Sequence, residues 1–480
     1  MAHQAAVLAM SRIANYGLMI ISPLVLVRFL TVTDFGRYRE FLLFASLLQT
    51  AAAFGINDSL LYFVPHYPGS IWRVVRATAS LVAAVSVAVV AVFLVIDFLV
   101  PRGLIGTYLV PVVLYVLLFV NLDWWEPFWI ATRRPQWVLV YSGGRLMARM
   151  LVVVCVAVLT KSVAAIIGSL LVLEAVRLAG SAVAWTVADQ SRREPPIANI
   201  RREQLRFCGP YGFASLLTML GRNLGNLVIV KYLGAAALAQ LTVGSYGDPI
   251  ILALRNSISQ VLLPELVRRA KHSPEEALRL FHRTTVINCM LLFPAAAAVA
   301  WYADPLILKL FGAAYRPAIP VLQWYASIIV FACVDFSPLL RAVDKTKWFL
   351  ANGVVDLLVI GLALVVLLPL MGIVGAIIAQ SVARVADFLL LGLAVSRLYG
   401  CGWRGLLRWT AVAKVGMCAL GGAVIAFGIT FQSRATLLGA VCGSVLYGVV
   451  FVALLLATRV EGATTIVQWL RTLPAALRRR

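Results

Sequence analysis

Apolar runs of about twenty residues follow one another along almost the whole chain, separated only by short polar connections. Coiled as an α-helix, each run is long enough to cross the roughly 30 Å hydrocarbon core of a bilayer. Hydrocarbon offers no hydrogen-bond partners, so a crossing segment must satisfy its own backbone, as a helix does and an isolated strand does not. The runs are continuous rather than alternating, which points to helices. They fall at about 8–30, 40–64, 75–100, 106–131, 138–160, 162–188, 207–232, 238–266, 284–302, 317–340, 348–370, 372–396, 408–431 and 434–458. The expected fold class is an all-α polytopic membrane protein with about 14 transmembrane helices.

Composition supports this reading. Of 480 residues, 62% are hydrophobic and 13% charged, against about 25% charged in a soluble domain. So few charges cannot coat a water-facing surface, which excludes a soluble enzyme. The net charge of +22 would suit nucleic acid in a soluble chain. Here most of the excess lies in short loops between apolar runs, where the positive-inside rule accounts for it, and no nucleic-acid partner is expected. An even number of spans puts both termini on one side, and the arginine-rich loops make that side the cytoplasm. The seven cysteines lie mostly inside apolar runs without a Cys-x-x-Cys pair and read as packing residues. The first run lacks a small-residue cleavage site and reads as a retained helix.

The longest polar connection, 189–206, contains Arg192, Arg193, Glu194, Pro195 and Pro196 and reads as a basic cytoplasmic linker. It divides a six-helix lobe, 1–188, from a second, 207–399. Leu24–Leu30 (LVLVRFL) and Leu227–Leu233 (LVIVKYL) match position by position, with Arg28 and Lys231 each expected to close a helix. Parallel repeats of this kind place a substrate cavity between the halves. Residues 400–460 add two further helices, and 461–480 form a basic amphipathic tail suited to the anionic inner leaflet.

Arg149, Arg177, Arg222, Arg255 and Arg384 fall near the middle of spans. Exposed to lipid, they would together cost about 12–17 kcal/mol, so they must face an interior. Arg177 has Glu174, and Arg384 has Asp387, three residues away on one helical face. Arg149, Arg222 and Arg255 have no acid at three or four residues in either direction and are the candidates for binding a diphosphate, whose oxygens match the planar guanidinium fork. Arg12 and Arg145, nearer the inner face, are secondary contacts for the same anion, with Tyr246 beside the break in span eight. That break, Gly244–Pro249, weakens its helix and makes Gly247 and Pro249 candidate hinges, as Pro23 is in span one. Asn352 and Asp356, four apart on one face, offer hard oxygens to a coupling Na⁺ or H⁺, and Gln380, Asn223 and Asn226 would complete the set. Asp58, Asp123, Glu126 and Asp335 sit toward helix ends and read as latches. No Walker loop, metal-ligand cluster or catalytic constellation is present in the sequence.

Three segments, Val25–Tyr38 (VLVRFLTVTDFGRY), Phe54–Pro68 (FGINDSLLYFVPHYP) and Leu368–Ala376 (LPLMGIVGA), resemble the polysaccharide transporters of the multidrug/oligosaccharidyl-lipid/polysaccharide exporter superfamily. The resemblance implies an inner-membrane flippase. Its cargo would be undecaprenyl-diphosphate-linked oligosaccharide units, moved to the periplasmic leaflet by ion-coupled alternating access for surface polysaccharide assembly. It also implies work alongside membrane lipids, a polysaccharide polymerase and a chain-length regulator. Asn352 and Asp356 are similar in spacing to a sodium-site pair of the related lipid II flippases, whereas Asn223 and Asn226 stand where a carboxylate is expected. The alternatives are a cation-coupled small-molecule exporter of the same superfamily and a membrane glycan polymerase or ligase. The first would favour acids and aromatics over central arginines, and the second a large periplasmic loop.

Overall fold

The apolar runs fold as helices in the computed structural model, which describes residues 21–99, 108–188, 194–247, 251, 262, 265–270, 273–343, 347–431 and 436–460. Among these residues there is no strand. After a first helix, α1 (21–29), ten helices among the described residues are long and apolar enough to cross a membrane, or 11 if the bent pair α2 (Val32–Ala53) and Asn57–His66, which ends in α3 (Leu60–His66), makes one span, so the chain is a multi-pass membrane protein. The expected first and eighth spans lie largely outside the described residues. The eleventh and twelfth emerge as one element, Lys347–Tyr399, whose 53 residues would measure about 80 Å as a straight helix, too long for a single crossing.

Glycine explains how that element turns. Gly372 adopts φ 56°, ψ −131°, a conformation that side chains disfavour. A Cβ on Gly375 would lie 2.1 Å from the Leu367 carbonyl oxygen, so the chain doubles back here and LPLMGIVGA is a joint between two spans. The other resembling segments are joints as well. Thr31 caps helix α2 (Val32–Ala53) by accepting from the Asp34 N–H at 3.1 Å, and its hydroxyl donates to the Asp34 carboxylate at 2.7 Å. A Cβ on Gly36 would stand 2.0 Å from the Ala235 carbonyl oxygen. In FGINDS, Phe54 and Gly55 take left-handed φ values and close α2 before the short turn Asn57–Ser59.

The chain forms two compact units, Met1–Ala239 and Gln240–Arg480. Helix α9 (Ile200–Leu233) thus belongs with the first unit, although the expected boundary placed it in the second lobe. It packs along α2 and α4 (Ile71–Leu99), where Gly212 lets the backbone meet Phe54. Both copies of the seven-residue repeat close a helix, at 29 and at Leu233. In the second unit the two additional helices, Trp409–Ile429 and Leu437–Ala457, pack on each other, with the Tyr447 hydroxyl donating to the Ala419 carbonyl at 3.0 Å. The tail from 461 lies outside the described residues.

Candidate functional site

In the first unit the polar chemistry gathers around a broken helix. Helix α5 (Leu109–Val120) stops at Asn121, and α6 (Trp125–Ala131) resumes after a turn. Such a break strands carbonyl oxygens in a place without water. Arg177 Nη2 donates to the Phe119 carbonyl at 3.3 Å, Asn57 Nδ2 to Val120 at 3.3 Å, and the Tyr141 hydroxyl to Leu122 at 3.2 Å.

The charged groups that serve this break come from α7 (Pro135–Thr160) and α8 (Val163–Ala188). Ser142, Arg145 and Arg149 recur at helical spacing on one face of α7. Arg145 Nη1 meets Asp123 Oδ1 at 2.8 Å and Nη2 lies 3.9 Å from Glu126, which accepts from Ser142 at 2.7 Å. Arg177 donates to Glu174 at 2.6 Å, and both side chains are almost wholly buried. The Arg145 and Arg177 guanidiniums lie over the Phe119 ring at 5.2 and 5.1 Å. Arg149 lies 5.9 Å from the Tyr115 ring centre, with Tyr38 and Glu174 within reach of its charge. The Glu174–Arg177 pair is the one its spacing predicts. Arg145, expected to meet an incoming anion, is instead engaged by Asp123 and Glu126, brought to it by the turn after α5.

The second unit has its own buried cluster along Lys347–Tyr399. Arg384 Nη1 donates to Asp387 Oδ2 at 2.6 Å, as the spacing predicts. Asn352 Nδ2 donates to Asp387 Oδ1 at 2.8 Å, and Arg384 Nη2 lies 3.9 Å from Asp356 Oδ1. The coupling candidates and the arginine pair, separate in sequence, therefore form one network. Asn352 Oδ1 and Asp356 Oδ1 are buried and accept no hydrogen bond. Gln380 is half-buried on the same element, whereas Asn223 and Asn226 lie on α9 in the first unit. Among the described residues no cluster of His, Cys, Asp and Glu could hold a metal ion.

Arg222 projects from α9 as an exposed residue of the membrane-crossing stretch. Ser215, Thr218, Arg222 and Asn226 recur at intervals of three and four, so they form a polar stripe along α9 that the spacing of acids about each arginine does not reveal. The signal was present as helical periodicity of polar residues. Tyr246 lies edge-on to Phe311 at 5.1 Å. The break in span eight begins where expected, since helix Ala235–Gly244 gives way to a turn. A Cβ at Gly244 would meet Val321 at 2.4 Å and one at Gly247 would meet Tyr325 at 3.2 Å, so both glycines admit close packing. Pro23 is buried in helix 21–29. Arg12, Pro249 and Arg255 lie outside the described residues.

The profile of a family described as polysaccharide biosynthesis protein matches residues 25–320. Among solved structures, a lipid II flippase MurJ in an inward closed conformation aligns over 95% of this chain and 100% of its own, with TM-score 0.63 and 12% identity. An inward-facing multidrug resistance MATE family transporter of the MOP superfamily aligns over 81% of this chain and 95% of its own, with TM-score 0.56 and 13% identity. An outward-facing transporter of that description covers 83% and 96%, with TM-score 0.51 and 13% identity. At such identities the likeness is one of fold. No curated protein matches the chain in sequence.

Proposed function

The chain belongs to the polysaccharide biosynthesis protein family, and from that premise we infer that it is a flippase for undecaprenyl-diphosphate-linked oligosaccharide units in the bacterial inner membrane, with both termini in the cytoplasm. The observation that carries this reading is the conjunction of that membership with a fold shared, over 95% of the chain, with a lipid II flippase. That flippase is described as one for lipid II, a lipid cargo. The chain is a transporter and not an enzyme in this reading, working beside a polymerase and a chain-length regulator.

Diphosphate recognition falls to Arg222 on the polar stripe of α9, with Arg255, Arg149 and Arg12 as further contacts. An exposed arginine in a crossing helix costs about 2.5–3.5 kcal/mol against lipid, which supports placing Arg222 on a wet path. Coupling falls to Asn352 and Asp356, whose unsatisfied oxygens would take H⁺ or Na⁺, while Arg384 is a tethered cation shared between Asp356 and Asp387. Cation arrival at Asp356 would then favour Arg384 resting wholly on Asp387.

Deletion of the gene is expected to abolish surface polysaccharide and to leave lipid-linked units on the cytoplasmic leaflet. The wild-type chain restores export, and Arg222→Ala reaches the membrane yet restores less than a tenth of it. Normal surface polysaccharide in the deletion strain would overturn the reading. In proteoliposomes with imposed Na⁺ or H⁺ gradients, Asp356→Asn is expected to lose gradient-driven transport, and full coupling in that variant removes Asp356 from the mechanism.

A further inference from the structure

Away from both charge clusters, the first unit contains a cavity of about 620 Å³ lined by Arg73 and Arg76 of α4, Arg201 and Arg202 of α9, and Asn199. No acid is among its described lining residues. Its volume falls within the roughly 300–1,000 Å³ typical of small-ligand sites.

The linker expected to be a tether builds this cavity. Glu194 accepts the Trp72 and Arg73 N–H groups at 3.0 and 2.8 Å, and so caps the start of α4. Arg73 Nε donates to the Glu194 carbonyl at 2.7 Å, and Ser70 donates to Pro195 at 3.0 Å. Deeper in, Gln204 Nε2 donates to Thr78 at 2.7 Å and fixes α9 against α4. Of the described acids beside the cavity in sequence, Glu194 serves the α4 amides and Glu203 accepts from the Tyr67 hydroxyl at 3.3 Å. Arg73, Arg76, Arg201 and Arg202 give the described lining a net positive charge.

Depth in the membrane narrows the ligand. Trp72, adjacent to Arg73, lies edge-on to Trp185 at 5.8 Å and 5.4 Å from Phe128, in a collar that includes Trp124 and Trp125 stacked at 4.2 Å. Tryptophan collects where headgroups meet hydrocarbon, and α4 enters its apolar stretch directly after this point. Guanidiniums at headgroup depth, between crossing helices, suit a lipid phosphate. We propose that this cavity holds the phosphate headgroup of an anionic lipid drawn from the leaflet on its own face of the membrane. The inference is independent of the flippase reading, since it needs only the membrane fold.

The test is native mass spectrometry of the full-length chain titrated separately with phosphatidylglycerol, phosphatidylcholine, a polyprenyl phosphate and inorganic phosphate. Phosphatidylglycerol adducts are expected on the wild type, weakened about 30-fold in Arg201→Gln/Arg202→Gln. Arg268→Gln/Arg269→Gln removes the same charge elsewhere and is expected to bind within about twofold of wild type, because loss of remote charge is screened. Displacement by the polyprenyl phosphate also supports the site and names the lipid that supplies the headgroup. Equal weakening by both double variants, equal binding of phosphatidylcholine, or displacement by inorganic phosphate at lipid-like concentrations would overturn it. If Arg201→Gln/Arg202→Gln fails to elute as a folded monodisperse species, Arg76→Gln is read in its place, with a loss of about fivefold expected.

Discussion

Replacing Glu174 with glutamine removes the charge that Arg177 meets at 2.6 Å, where the side chains are 4% and 10% exposed. The guanidinium keeps its bond to the Phe119 carbonyl and its place over the Phe119 ring, but no longer has a carboxylate. Arg145 and Arg149, which also stand within the field of Glu174, lose that compensation too. Breaking one side of a buried pair costs about 3–5 kcal/mol, and an amide oxygen that still accepts one bond puts this case near about 3 kcal/mol. In a unit of this size each kcal/mol moves the thermal midpoint by about 2–4 °C, so a fall of about 6–12 °C is expected. The Glu174→Gln/Arg177→Met double variant leaves no orphaned partner and should recover at least half of that loss. Tryptophan emission during a temperature ramp in detergent reports on the same unit, through Trp72, Trp124, Trp125 and Trp185. A midpoint within 2 °C of wild type for Glu174→Gln, or a double variant as unstable as the sum of its singles, would refute the claim that this pair locks the broken helix; both thresholds are set at about the resolution expected for one kcal/mol.

Two further perturbations test the joints. Gly36→Val drives a branched side chain into the Ala235 carbonyl, and overpacking against backbone costs about 1–3 kcal/mol or more, so a lower yield of monodisperse protein is expected from gel filtration. Glu194→Gln keeps the shape of the α4 cap but loses its charge, a change of about 0.3–1 kcal/mol, and limited proteolysis should cut the linker faster than in wild type.

Local relations were legible in the sequence because helical geometry alone decides them. Glu174 with Arg177 and Arg384 with Asp387 pair as their spacing predicts, and the two LV-rich repeats end helices as expected. Relations that depend on where a helix breaks were not legible. The turn after α5 carries Asn121, Leu122 and Asp123 with no glycine or proline among them, so the span at 106–131 reads as unbroken, and although Asp123 reads as a latch, its sequence context does not name Arg145, 22 residues later, as the partner. The linker at 189–206 reads as a tether because Pro195 and Pro196 interrupt helix, whereas the bonds of Glu194 to α4 depend on tertiary placement.

A corresponding break in the second unit extends this reasoning. Helix Ala318–Ala332 stops and Ser337–Ala342 resumes after a turn that again contains an aspartate, Asp335, which accepts from the Ser337 N–H at 3.0 Å. Asn288 serves the stranded Cys333 carbonyl at 3.4 Å, where the first unit uses Arg177 for Phe119. The same interruption is thus satisfied by a neutral amide in one unit, and by Arg177 together with the neutral Asn57 and Tyr141 in the other. Backbone satisfaction by itself does not require arginine, so the charges in the first unit must be justified by their own pairing, and Glu174, Asp123 and Glu126 provide it. Arg222 lies on α9, along a polar stripe in which Thr218 and Arg222 are exposed, and the proposed diphosphate contact is assigned there on that exposure.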